Sequence, residues 1–159
     1  MTLGFLNRKG KHSVRELFSV VLFAVMNPVP TWDQLITGQL LRYNLVSGVL
    51  LLTRHGQPAY TYGELEINPL MEESKPFIQA FRQTPQSDTF AVQFKNGQKV
   101  NFKVYKRSHC SIYATSGGNR DGLMICNLPH GVMLCTYHLP VQSGQVITVV
   151  ERFCDILRA

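Results

Sequence analysis

The chain has 159 residues, 45% of them hydrophobic and only 16% charged, enough apolar material to bury one core and too little charge for a disordered polyelectrolyte. Its 12 Gly and 8 Pro are scattered without a period, which excludes a collagen-like chain. Sixteen Lys and Arg against ten Asp and Glu leave +6, a balance that favours anionic partners.

Residues 1–12 carry Arg8, Lys9 and Lys11 among few apolar side chains and read as a mobile basic arm, with residues 13–159 as a single globular domain. With Arg15 the arm offers four cations for an acidic membrane surface or another anion. Leu17 to Met26 resembles the apolar region of a signal peptide, but Glu16 interrupts its start. The run ends in Asn27-Pro28 without a small-residue cleavage site and is shorter than a membrane span. It is predicted to be a buried helix running from a Ser13 cap to Asn27, where Pro28 stops it.

Thr31-Trp32-Asp33-Gln34 has the form of a capping box and predicts a second helix, carried through Leu35, Ile36, Leu40, Leu41, Leu45 and Val46 to His55-Gly56. The signal then changes to period two at Tyr60, Tyr62, Leu65 and Ile67, within which Tyr62-x-x-Leu65 has the loose form of a peptide signal for a host factor. Residues 68–87 hold three prolines and read as an irregular connection with room for a short helix around Pro76 to Arg82.

From Asp88 the pattern is strand after strand. A two-residue turn at Asn96-Gly97 would mix apolar and basic faces. A three-residue turn, Lys95-Asn96-Gly97 with a left-handed Gly97, pairs Val92 with Val100 and Phe90 with Phe102. The opposite face then carries Lys99, Asn101, Lys103 and Tyr105. Later strands are predicted at Cys110 to Ala114, Leu123 to Leu128, Val132 to His138 and Val146 to Val150, with Glu151 to Leu157 either helical or extended. The predicted fold class is therefore α+β: two N-terminal helices packed on a mainly antiparallel β-sheet, preceded by the basic arm.

Lys95, Lys99, Lys103, Lys106 and Arg107, with Tyr105 among them, form an acid-free basic run suited to nucleic acid or acidic lipid. Lysines also protect exposed strands from aggregation. No metal site is predicted. Cys126, His130, Cys135 and His138 are the nearest candidates for zinc, but their spacing matches no paired-ligand pattern and two of them fall in apolar strands. The four cysteines, Cys110 included, read as reduced thiols of an intracellular chain. No local motif joins Cys110 to His109 or His138 as a nucleophile and base, and Ser116 to Gly122 lacks the Gly-Lys-Ser/Thr end of a phosphate loop, so neither catalysis nor a cofactor is predicted.

Trp32-Asp33-x-Leu35-x-x-Gly38 resembles a helix-opening segment of rhabdovirus matrix proteins, and the order of arm, helical part and strand-rich part is similar to that family's plan. The chain departs from the family in having no Pro-Pro-x-Tyr budding motif. The resemblance implies a non-enzymatic structural protein of the host cytoplasm, the inner face of the host membrane and the virion, active in virion assembly and budding. Its partners would be itself, as a homo-oligomer, an acidic membrane, the viral nucleocapsid or RNA, and host factors. The alternative is a basic nucleic-acid-binding module, such as a suppressor of RNA silencing, with Tyr105 stacking on bases while Lys103, Lys106 and Arg107 hold phosphates.

Overall fold

The computed structural model describes residues 29–65 and 71–159. The basic arm, the Ser13 to Asn27 helix and the Leu17 to Met26 run lie outside the described residues.

The Thr31 capping box forms as predicted. The Thr31 hydroxyl accepts from the Gln34 N–H at 3.2 Å and the Gln34 side chain accepts from the Thr31 N–H at 3.0 Å, opening helix α1, Trp32–Gln39. Trp32, Ile36 and Leu40 recur every four residues and are buried on one side. The helix does not continue to His55. It passes through a 3₁₀ turn at Leu41–Tyr43 and a left-handed Asn44, and the run predicted as helical becomes strand β1, Gly48–Thr53. A strand buried on both faces has no reason to alternate, so Val49-Leu50-Leu51-Leu52 lacks the period-two signature.

The other strands are β2 (Pro58–Gly63), β3 (Thr89–Gln93), β4 (Lys99–Arg107), β5 (Ser111–Ser116), β6 (Asp121–Leu128) and β7 (Gly131–His138). Helix α2 (Met71–Ile78) lies in the connection between β2 and β3, and helix α3 (Ser143–Arg158) closes the chain. The predicted strand at Val146 to Val150 is part of α3. Its buried residues Val146, Val150, Phe153, Cys154 and Leu157 follow helical spacing through a run rich in β-branched residues. The fold is thus sheet-dominated, with, among the described residues, one helix before the sheet and one after it, rather than two N-terminal helices on a sheet.

The seven described strands form one antiparallel sheet in the order β2-β1-β7-β6-β5-β4-β3. The sheet curls. Just beyond its two edge strands, the Lys95 N–H donates to the Glu64 carbonyl at 2.7 Å, bringing the β3–β4 turn back to the end of β2. Inside the curl, Leu50, Leu52, Phe90, Phe102, Ile125 and Leu134 pack with Phe77 and Ala80 of the α2 region. On the outer face, α1 and α3 cover Val49, Leu51, Met124, Cys126, Met133 and Cys135. No described helix is long and apolar enough to cross a membrane.

The β3–β4 hairpin has the predicted register. Phe90 pairs with Phe102 and Val92 with Val100, and Gly97 is left-handed at φ +89°.

Candidate functional site

The helical layer on the outer face stops short of the sheet's edge. Among the described residues no helix covers that face of β3 and β4, where Thr89, Ala91 and Gln93 lie opposite exposed Lys103, Asn101 and Lys99. The register breaks between Val104 and Lys106, so that Lys106 pairs with Tyr113 and Arg107 with Ile112. Cross-strand partners share a face, and Tyr113 belongs to the outer cluster while Ile112 lies inside the curl. Tyr105 is the extra residue of this bulge, with its ring 6.4 Å from that of Tyr113. The bulge therefore keeps Lys106 on the open face with Lys99, Lys103 and Tyr105, where strict alternation would have turned it inward.

Arg107 is turned away from this group. Its guanidinium donates to the Ser87 carbonyl at 2.6 Å and to Gln86 at 3.1 Å and lies 3.6 Å from Asp88, clamping the loop that leads into β3. Lys95 sits at the far end, on the β3–β4 turn. Of the predicted basic run, the structure brings together Lys99, Lys103, Tyr105 and Lys106. Arg8, Lys9, Lys11 and Arg15 lie outside the described residues.

Beside Tyr105 the open face deepens into a groove of about 500 Å³ between the sheet and the start of α3, lined by Thr115, Arg120, Tyr137, Leu139 and Gln142. Tyr105 and Leu139 are 51% and 56% exposed, large apolar surfaces at the groove's rim. Tyr137 reaches the groove because its β6 partner is Gly122. A Cβ there would stand 2.0 Å from the Tyr137 ring, so the ring can lie across β6 only over a glycine. Burial and a hydrogen bond with Tyr105 push the Tyr137 phenol well above its ordinary pKa, so it stays neutral. Sequence reasoning missed Tyr137, at the end of β7, and Leu139 and Gln142, in the turn after it, because they are distant in sequence from β4.

A polar knot adjoins the groove at the same, C-terminal end of β7. His138 Nδ1 is 2.6 Å from Asp121 and Nε2 is 2.7 Å from Glu64. Glu64 also accepts from Ser47, and from Thr136 at 2.7 Å. An imidazole satisfies two carboxylates at once only as the doubly protonated cation. Burial alone lowers its pKa, but the hydrogen bonds to Glu64 and Asp121 outweigh that and raise it above the ordinary histidine value. Phe94 packs its ring edge-on against His138 at 6.2 Å, so the knot ties the ends of β1, β2, β6 and β7 to the β3–β4 turn. His138 is therefore engaged with two acids instead of joining the zinc candidates. Cys126 and Cys135 are fully buried under α3, and His130 stands at the β6–β7 turn.

A family model for profilin matches residues 30–159. The chain belongs to the profilin family. Its fold is similar to that of profilin IB of Acanthamoeba castellanii, with a TM-score of 0.66 at 18% identity over 80% of this chain and 96% of that one. Profilin from Schizosaccharomyces pombe is similar at TM-score 0.62 and 16% identity, again over 80% and 96% of the two chains. LokiProfilin1, in a complex with rabbit actin, is similar at TM-score 0.61 and 11% identity over 79% and 93%. No curated protein matches the sequence.

Membership of this family overturns the resemblance to rhabdovirus matrix proteins. The virion and inner-membrane location, the roles in assembly and budding, and the nucleocapsid and self-association partners rested on that resemblance and fall with it, and the acidic-membrane partner read from the basic residues finds no support in the profilin match either. The nucleic-acid-binding alternative is replaced as well, since profilins are a family of non-enzymatic actin-binding proteins.

Proposed function

We propose that this profilin is a non-enzymatic, cytoplasmic actin-binding protein of the cytoskeleton, and that actin docks on the open outer face of β3 and β4 together with the start of α3. The observation that carries the site is the gap in the helical layer. Among the described residues α1 and α3 cover the outer face of β1, β6 and β7, whereas here a flat sheet surface meets a groove with exposed Tyr105 and Leu139. A specific interface takes about 800 Å² from each partner, more than two short strands supply, so the groove at the start of α3 belongs to the same footprint.

The division of labour follows from the side chains. Tyr105 and Leu139 are the apolar anchors, in the positions where a few large side chains dominate binding energy. Lys99, Lys103 and Lys106 form a cationic border that selects an acidic patch on actin and speeds encounter. Arg107 positions the loop before β3 and does not itself meet actin.

The test is binding of labelled actin to the full chain. Tyr105→Ala is expected to weaken the complex roughly 30-fold or more, as for a central aromatic anchor. Lys103→Glu should slow association and make it less sensitive to salt. Absence of any complex at tens of micromolar would overturn the function, and a complex untouched by both variants would overturn the site.

A further inference from the structure

Under α3, away from the open face, lie three metal-ligating side chains that the actin reading does not use. The Sγ atoms of Cys126 on β6 and Cys154 on α3, and a carboxylate oxygen of Glu151 one turn before Cys154, all lie within 4.8 Å of one another. Both thiols are fully buried and hydrogen-bonded to each other, and Glu151 accepts from the buried Ser111 hydroxyl at 2.6 Å.

We propose that Cys126, Cys154 and Glu151 bind a soft divalent cation of the zinc type. Two thiolates and a carboxylate drawn from a strand and a helix are a donor set zinc accepts, with bonds of about 2.3 Å to sulfur and about 2.0–2.2 Å to oxygen. Ligand atoms that close together converge on one ion with small rotamer changes. The charge balance also favours it. The apo site holds one negative charge, on Glu151, beside two neutral thiols. Binding M²⁺ releases the two thiol protons to solvent and leaves the site again at one negative charge, so loading adds no net charge to the interior. The Ser111 hydroxyl fixes the Glu151 carboxylate as an outer-shell partner does in metal sites.

Bound metal would cross-link α3 to β6. The ion joins two elements already packed together, so it stabilises the fold without rearranging it.

The test uses the full, reduced chain titrated with Cd²⁺ and then Zn²⁺ against a chelating competitor. Thiolate-to-cadmium ultraviolet absorbance and thermal melting are both recorded. One Cd²⁺ per chain is expected, with a two-thiolate band that only a large excess of Zn²⁺ displaces and an affinity that falls about 100-fold per unit drop in pH as two protons compete. Cys154→Ser should halve the band. Glu151→Gln, which keeps the core volume, should retain the two-thiolate band and weaken binding roughly tenfold or more. Cys110→Ser should change nothing. The proposal is overturned if stoichiometric Cd²⁺ yields no thiolate band, or if affinity and band are the same in Glu151→Gln and Cys154→Ser as in the parent chain.

Discussion

Strands β6 and β4 lie in one sheet with only β5 between them, yet their surroundings differ. β6 is packed from both sides, by α3 outside and the α2 layer inside, and nearly all its residues are buried. Among the described residues β4 is packed from one side only. Phe102 is fully buried while its neighbours Asn101 and Lys103 are exposed. The comparison separates the part of the sheet that holds the molecule together from the part that is free to meet another. An uncovered face with an aromatic bulge and a groove at its border is where a fold of this kind can carry an interface.

The largest effect expected from this difference concerns β4 itself. Phe102→Ala removes a ring from inside the curl and should cost about 3–5 kcal/mol in urea unfolding, whereas Asn101→Ala next to it should stay within about 0.5 kcal/mol. Equal costs at the two positions would mean that the outer face of β4 is not open. Next, Gly122→Val places a branched side chain where the Tyr137 ring lies. It should lower stability by about 1–3 kcal/mol and also distort the groove, so actin affinity should fall even though Gly122 is buried. Thr31→Ala removes one cap of α1, at the sealed side of the sheet, and should cost about 1 kcal/mol with no change in actin affinity.

A smaller effect should come from the polar knot. The folded-state pKa of His138 is raised above 6.5, so its contribution to stability is fully present below the unfolded value and is lost as pH rises through the folded one. Urea midpoints measured between about pH 5 and about pH 9 should therefore decline more steeply across that window in the parent chain than in His138→Gln. Parallel profiles would mean that the doubly bonded imidazolium does not form.

The same contrast explains what was legible in the sequence. Strand β4 alternates because one face is wet, and its turn, register and exposed side could be read from Phe90, Val92, Lys99 and Lys103 alone. Strand β1 is buried on both faces, so Val49 to Leu52 form a continuous apolar run that no periodicity separates from a buried helix. In α3 the apolar stripe from Val146 to Leu157 was present, but Val146, Ile147, Thr148, Val149 and Val150 are β-branched, and local propensity points to a strand where tertiary packing makes a helix. Trp32 to Gly38 misled for a physical reason. A capped start followed by aliphatic residues at helical spacing is what any amphipathic helix needs, so it specifies α1 and not a family. The groove was illegible because it joins Tyr105 on β4 to Leu139 and Gln142 at the start of α3, a meeting set by the sheet order.

If actin docks as proposed, the face left open by the helices is the face it covers. The most direct test is lysine acylation of the full chain with and without saturating actin, read residue by residue. Lys99, Lys103 and Lys106 on the open face should be protected, while Lys75, exposed on α2 across the sheet, should react as it does in the free protein. Protection of Lys75 with Lys99 and Lys103 left reactive would place actin on the other side of the sheet and contradict the claim.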